Sequence, residues 1–184
     1  MITIGITGTI GAGKGTLVDY LTSRKDFVHY SVRSFLIAEL TNRQMLINRD
    51  TMTCLANELR KKYTSSYIID CLFALAQTIG KNAVIESIRA IGEIESLRKK
   101  GNFYLLAIDA NPAIRYKRIV CRRSETDHVS FEEFLQNEQR EMTSTDANKQ
   151  NISQCIALAD YLLCNDGTRD ELYKQLENIL AKMN

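Results

Sequence analysis

The nine residues Gly8-Thr-Ile-Gly-Ala-Gly-Lys-Gly-Thr16 constrain this chain more than any other stretch. An apolar run, Ile2–Thr7, precedes them, and a helix-like segment over 14–24 follows. Glycines at 8, 11, 13 and 15 let successive backbone N–H groups curl round an anion without Cβ clashes. The helix that follows aims its positive end at the same spot. Lys14 adds a compact ammonium able to reach the β- and γ-phosphates of a nucleotide. A flexible turn with an incidental lysine would need neither the strand before it nor the helix after it. The usual phosphate loop places Ser or Thr directly after its lysine, with the hydroxyl on magnesium. Here Gly15 intervenes and the hydroxyl comes at Thr16, so a direct Thr16–magnesium bond is not implied.

The remaining chain repeats the same alternation. The runs 2–7, 27–32, 82–87, 102–109 and 160–166 have strand length and composition. Helical character fills 14–24, 34–43, 50–62, 65–80, 90–100, 111–123, 130–142, 148–158 and 168–182. Asn111-Pro112 is a cap followed by proline at the first helical position, and Ser130/Glu133 and Thr168/Glu171 are capping boxes. Near-continuously apolar strands alternating with helices predict an α/β fold, a parallel sheet covered on both faces. Such sheets bind ligands beyond the carboxyl ends of their strands, so chemistry is expected just after 7, 32, 87, 109 and 166. The charged stretch 121–150 holds fewer core-type residues and is the candidate lid.

At 184 residues the chain is expected to form one domain, and a net charge of +2 gives no bulk attraction to nucleic acid or membrane. Five scattered cysteines and two histidines suggest neither a disulfide framework nor a zinc site; the thiols are expected as small packed hydrophobes. No cationic leader and no run of roughly 18 apolar residues is visible, so a cytoplasmic protein is expected.

Several motifs together resemble the nucleoside monophosphate kinases. The loop GTIGAGKGT is similar to the G-x-x-G-x-G-K-G-T loop of adenylate kinase, which implies a five-stranded P-loop kinase sandwich. By that likeness Gly8, Thr9, Ile10, Gly11, Ala12, Gly13, Lys14, Gly15 and Thr16 would hold ATP, with magnesium reached by Thr16 through water. HYSVRSFLIAEL resembles the family's monophosphate-binding stretch: Ser31, Leu36, Ala38 and Glu39 match, whereas Arg33-Ser34 replace glycine-aspartate and Ile37 replaces an arginine. Arg33 is then the candidate for the missing charge. VIESIR sets Glu86 in a carboxylate place and Arg89 in an arginine place. Glu86 would orient magnesium's water shell and Arg89 would fork onto an acceptor phosphate; a surface ion pair is the other reading of Glu86. DANPAIRYKRIVCRR matches the family's R-I-x-x-R-R at Arg118, Ile119, Arg122 and Arg123. Arg118 would lie over adenine and Arg122 on ATP phosphates, unless Arg115, Arg118 and Arg122 form only a solvated stripe. Arg140 is a further candidate for charge on the transferring group. ADYLLCNDGTRDEL resembles the last strand and turn of adenylate kinases and of dephospho-coenzyme A kinases, with Asn165, Asp166, Gly167 and Thr168 along the adenine edge.

The resemblance implies a core of 1–33, 82–120 and 155–184, acceptor-binding helices over about 34–81 and a lid over about 121–150. Phosphoryl transfer needs alignment and positive charge more than covalent chemistry. A monophosphate acceptor is anionic near neutrality and needs arginines, whereas a hydroxyl acceptor needs a carboxylate for its proton. Region 33–89 holds Arg33, Arg43, Arg49, Arg60 and Arg89, with Glu39, Asp50, Glu58, Asp70 and Glu86. Arginine supply, Arg33, Arg49 and Arg89 foremost, favours a (deoxy)nucleoside monophosphate. Dephospho-coenzyme A-like hydroxyl transfer and a binding protein without transfer activity remain open. A guanine-reading N-K-x-D pattern is absent, since Asn148-Lys149-Gln150-Asn151 lacks the aspartate.

Overall fold

The computed structural model describes residues 1–122, 130–143 and 150–183. Five parallel strands run in the order β2-β3-β1-β4-β5: β1 (Thr3–Gly8), β2 (Val28–Ser31), β3 (Ala83–Glu86), β4 (Phe103–Asp109) and β5 (Tyr161–Cys164). The chain leaves central β1 through α1 (Lys14–Arg24) for the far edge, β2. It returns by α2 (Val32–Asn42), α3 (Arg49–Lys62) and α4 (Tyr67–Ile79) to β3, and crosses by α5 (Ile91–Lys99) to β4. Then follow α6 (Pro112–Arg122), α7 (Phe131–Met142), α8 (Ile152–Ala157), β5 and α9 (Arg169–Leu180).

All six residues of β1 are buried, as a central parallel strand requires. Its alternation divides the core. Ile4 and Ile6 join Val84, Leu106 and Ile108 beneath Leu17 and Leu21 of α1 and Leu172 and Leu176 of α9. On the other face Ile85 and Leu105 meet Leu36, Leu55, Ile69 and Ile94 from α2 to α5. Gly5 belongs to this second face, where a Cβ would stand 2.5 Å from Ile88 Cδ1. This three-layer α/β sandwich matches the expected architecture. Strand ends agree within two residues; of the helix expected over 148–158, residues 148 and 149 lie outside the described residues and the helix spans Ile152–Ala157.

The cysteine expectation needs correcting. Only Cys155 is fully buried, its thiol pushed up to about 12 by that burial; Cys54, Cys121 and Cys164 are exposed. Among the described residues no helix is long and apolar enough to cross a membrane.

Candidate active site

The glycine loop lies at the carboxyl end of β1, beside the point where the chain switches direction across the sheet. Three of its glycines are required by geometry. Gly8, Gly11 and Gly13 have φ of 138°, 76° and 107°, backbone that side-chain-bearing residues rarely adopt. A Cβ on Gly8 would strike the Ile108 carbonyl, one on Gly11 would stand 2.6 Å from the Arg115 carbonyl oxygen, and one on Gly13 would strike the Asn165 amide. Gly15 differs: a Cβ there meets nothing within 4 Å. Its lack of a side chain leaves open space beside the first turn of α1. Lys14 curls back over the loop, its Nζ donating to the carbonyls of Gly8 at 2.8 Å and Thr9 at 2.7 Å.

Buried polar contacts brace the loop from behind. Thr9 Oγ1 donates to Asp109 Oδ1 at 2.5 Å, tying it to the tip of β4. Asn165, just after β5, donates to the Ala12 carbonyl at 2.7 Å. Arg115 is 3% exposed, so it belongs to no solvated stripe. It donates to the carbonyls of Ala110 at 2.6 Å and Ile10 at 3.2 Å, and pairs through both terminal nitrogens with Glu138 of α7.

One cleft of about 740 Å³ opens over this edge. Ile10, Gly11, Arg118, Asn165, Gly167 and Arg169 line one end; Arg33, Leu36, Met52, Ala56 and Arg60 line the other. Lys14, Gly15, Thr16 and Glu86 also line it. Arg118 Nη1 is buried and, among the described residues, has no hydrogen-bond partner, which leaves a donor for something in the cleft.

Glu86 ends β3 and is fixed by its neighbours. Ser31 donates to its Oε1 at 3.1 Å, and His29 Nε2 stands 3.3 Å from the same oxygen. Burial alone would raise its carboxyl, yet His29, Ser31 and the charge of Lys14 hold it below the usual glutamate range. Glu86 is therefore an anion at neutral pH. Ser87 follows with φ of 66°, the left-handed turn that swings the chain from the strand toward Arg89.

Arg89 and Arg49 converge on one carboxylate. Arg89 Nη1 donates to Glu141 Oε2 at 2.6 Å and to Gln150 Oε1 at 2.8 Å, and Arg49 Nη2 donates to Glu141 Oε1 at 2.8 Å. Burial would raise the Glu141 carboxyl, but Arg89 and Arg49, with Lys14 beyond, hold it low. Arg60 is paired elsewhere, to Glu93 at 2.8 Å, both side chains 1% exposed. Glu93's other oxygen caps α5 by accepting from the N–H groups of Arg89 at 2.8 Å and Ala90 at 3.0 Å.

Of the residues expected from sequence, Ile10, Gly11, Gly13, Lys14, Gly15, Thr16, Arg33, Arg49, Glu86, Arg89, Arg118 and Gly167 line the cleft. Gly8, Thr9 and Ala12 shape the loop from behind it. Arg140 sits on the exposed side of α7, bonded to Asn137, and does not line the cleft. Asp166 accepts from the Asn111 N–H at 2.6 Å, and Thr168 caps α9; neither lines the cleft. Arg122 ends α6, but its side chain, with Arg123 and Asn148, lies outside the described residues. Ile37, in the family's arginine place, packs against the core. Sequence reasoning missed Glu141, Gln150, Ser87 and Arg169 as cleft residues. Ser87 alone had a signal, lying between Glu86 and Arg89 in the VIESIR segment.

Among the described residues there is no group of three or more metal-ligating side chains. A hydroxyl at Thr16 and an ionised carboxylate at Glu86 suit magnesium, which keeps most of its water and leans on phosphate oxygens.

A phosphate-type loop at the switch point of a 2-3-1-4-5 parallel sheet, with a helix-lined cleft beside it, defines a protein with the P-loop kinase fold. The chain belongs to the AAA domain family AAA_18, which it matches over residues 4–146. It is similar to several UPF0200 proteins. One from Methanococcus vannielii is 28% identical over 98% of this chain and 95% of its own length. Another from Methanocaldococcus jannaschii is 27% identical over 100% and 91%. Among solved structures, TT1252 from Thermus thermophilus superposes with a TM-score of 0.64 at 19% identity, covering 100% of this chain and 98% of that one. Shikimate kinase from Bacteroides thetaiotaomicron gives 0.58 at 12% identity, covering 99% and 98%. These likenesses establish the fold.

Proposed function

We propose that the protein is a magnesium–ATP-dependent phosphotransferase whose acceptor is a (deoxy)nucleoside monophosphate. The observation that carries this reading is one cleft with the Lys14 loop on one side and Arg33, Arg49 and Arg89 on the other. ATP would lie with its phosphates against the loop amides, its γ-phosphoryl drawing Lys14 from the Gly8 and Thr9 carbonyls. Arg118 and Gly167 flank the cleft end that would take the adenine. Magnesium, reached through water by Thr16 and Glu86, would neutralise phosphate charge. The acceptor arrives as an anion, so its oxygen attacks without a base. What the protein supplies is alignment and fixed positive charge around the transferring group.

One observation favours a second reading. Glu86 is a cleft-lining carboxylate held ionised at a strand tip, where it could take the proton of an attacking hydroxyl. That would suit a dephospho-coenzyme A-like acceptor. An ADP-release screen over nucleoside monophosphates, deoxymonophosphates and dephospho-coenzyme A with magnesium–ATP separates the two. Acceptor-dependent ADP release with a monophosphate is the expected result. Release only with dephospho-coenzyme A selects the second reading, and ATP binding without acceptor-dependent release overturns both.

A further inference from the structure

Two ion pairs near the cleft have opposite designs. Arg60–Glu93 is closed: both side chains are 1% exposed, and Glu93 also accepts two backbone N–H groups. The Glu93 carboxylate is thus committed through both oxygens, one to Arg60 and the other to the chain itself. Glu141 is only 8% exposed too, but it faces the cleft, and among the described residues its carboxylate accepts from Arg49 and Arg89 alone. Those arginines come from different elements, one at the start of α3 and one beyond β3. A single carboxylate bridges them, one oxygen to each guanidinium. That is how two oxygens of a phosphate monoester would be taken.

We infer that Glu141 is a tethered stand-in for the acceptor's phosphate: it occupies the Arg49–Arg89 subsite when the cleft is empty, and an incoming dianion displaces it. This rests on the reading that Arg49 and Arg89 form the acceptor side. The exchange sets specificity by charge. A phosphate monoester brings about two negative charges and three oxygens against one charge and two oxygens, so it can hold both arginines as Glu141 leaves. A neutral hydroxyl compound offers them nothing and leaves Glu141 in place. Displacement also reports elsewhere. Three residues before Glu141, Glu138 grips Arg115, whose Nη1 donates to the loop carbonyl of Ile10. Movement of α7 on acceptor binding would therefore be felt at the ATP loop.

A protein whose subsite is filled by its own side chain binds more weakly by the fraction of time the subsite is open. Calorimetric titration with methyl phosphate, with and without a non-hydrolysable ATP analogue, tests this on the full chain. Glu141→Gln, neutral but similar in shape, is expected to bind methyl phosphate about tenfold or more tighter than the wild type. Adding Arg89→Ala should abolish the gain, showing that the ligand sits on the arginine pair and not in the glycine loop. Unchanged or weaker binding in folded Glu141→Gln would overturn the inference, since Glu141 would then be positioning the arginines. So would a gain that survives Arg89→Ala. If Glu141→Gln does not fold, Glu141→Asp, shorter by one methylene, should show a gain of about threefold, and none would count against displacement. The analogue arm judges the kinase reading separately: failure of every variant to bind it sinks that reading, whereas the methyl phosphate result stands without turnover.

Discussion

Lys14 and the glycines around it act residue by residue. Lys14 Nζ donates to the Gly8 and Thr9 carbonyls of its own loop, which holds its ammonium over the loop. Lys14→Ala is expected to lower acceptor-dependent turnover about 100-fold or more while circular dichroism and Tm stay near wild type. Near-normal turnover would end the loop mechanism. The glycines are not equivalent. Gly13→Ala forces φ of 107° on alanine and drives its Cβ into Asn165, a cost of about 2 kcal/mol in denaturant unfolding. Gly15→Ala meets open space on a helix and should leave stability unchanged or raise it by up to about 1 kcal/mol. Any defect there should appear in nucleotide affinity alone. The sequence shows four loop glycines without ranking them; only their φ values and neighbours separate the three required by backbone from Gly15, which faces open space.

Among the elements, α7 and α5 show how helices carry the site. Phe134 anchors α7 against Tyr116 and the Arg115 guanidinium, and Glu138 and Glu141, three residues apart, share one face of the helix. Charge at these positions reads from sequence as a solvated face, and the capping box at Ser130 announces the helix but not its orientation. Glu141 has its acidity strengthened by folding, so its contribution is present above its unfolded value of 4.5 and is lost as pH falls through the lower folded value. The Tm difference between wild type and Glu141→Gln should therefore shrink as pH drops below about 4. A difference that grows on acidification would show that the carboxylate is not stabilised by its arginines. At α5, Glu93→Ala strips the buried Arg60 of its counter-charge and the helix of its cap. A loss of about 3–5 kcal/mol is expected by urea unfolding, and a loss under about 1 kcal/mol would mean water reaches Arg60.

At the scale of the molecule, the sheet order brings Gly8, Glu86 and Asp109, far apart in sequence, to the carboxyl ends of adjacent strands, where Ile6 pairs with Glu86 and Gly8 with Ile108. Arg33, Arg49 and Arg89 are separate from the glycine loop in sequence but line the same cleft, so under the proposed function a nucleotide at the loop and an acceptor at the arginines would lie side by side. Transfer to water is then the reaction to suppress. ADP release without acceptor should run at least about tenfold slower than with it. Equal rates in a coupled assay would make the protein an ATPase.

Strand and helix periods, capping boxes and the glycine spacing are local properties, and the sequence alone determined them: five strands, the helices between them, and the loop that Lys14 closes. Local pattern cannot say which distant charges meet. Arg115 looked like one tooth of a basic stripe and is a buried strut; Arg140 looked like a catalytic charge and faces outward; Glu141 carried no signal and joins two arginines. Those pairings depend on how α7 lies across the sheet's edge, a long-range arrangement fixed by packing, so only the tertiary structure decided them.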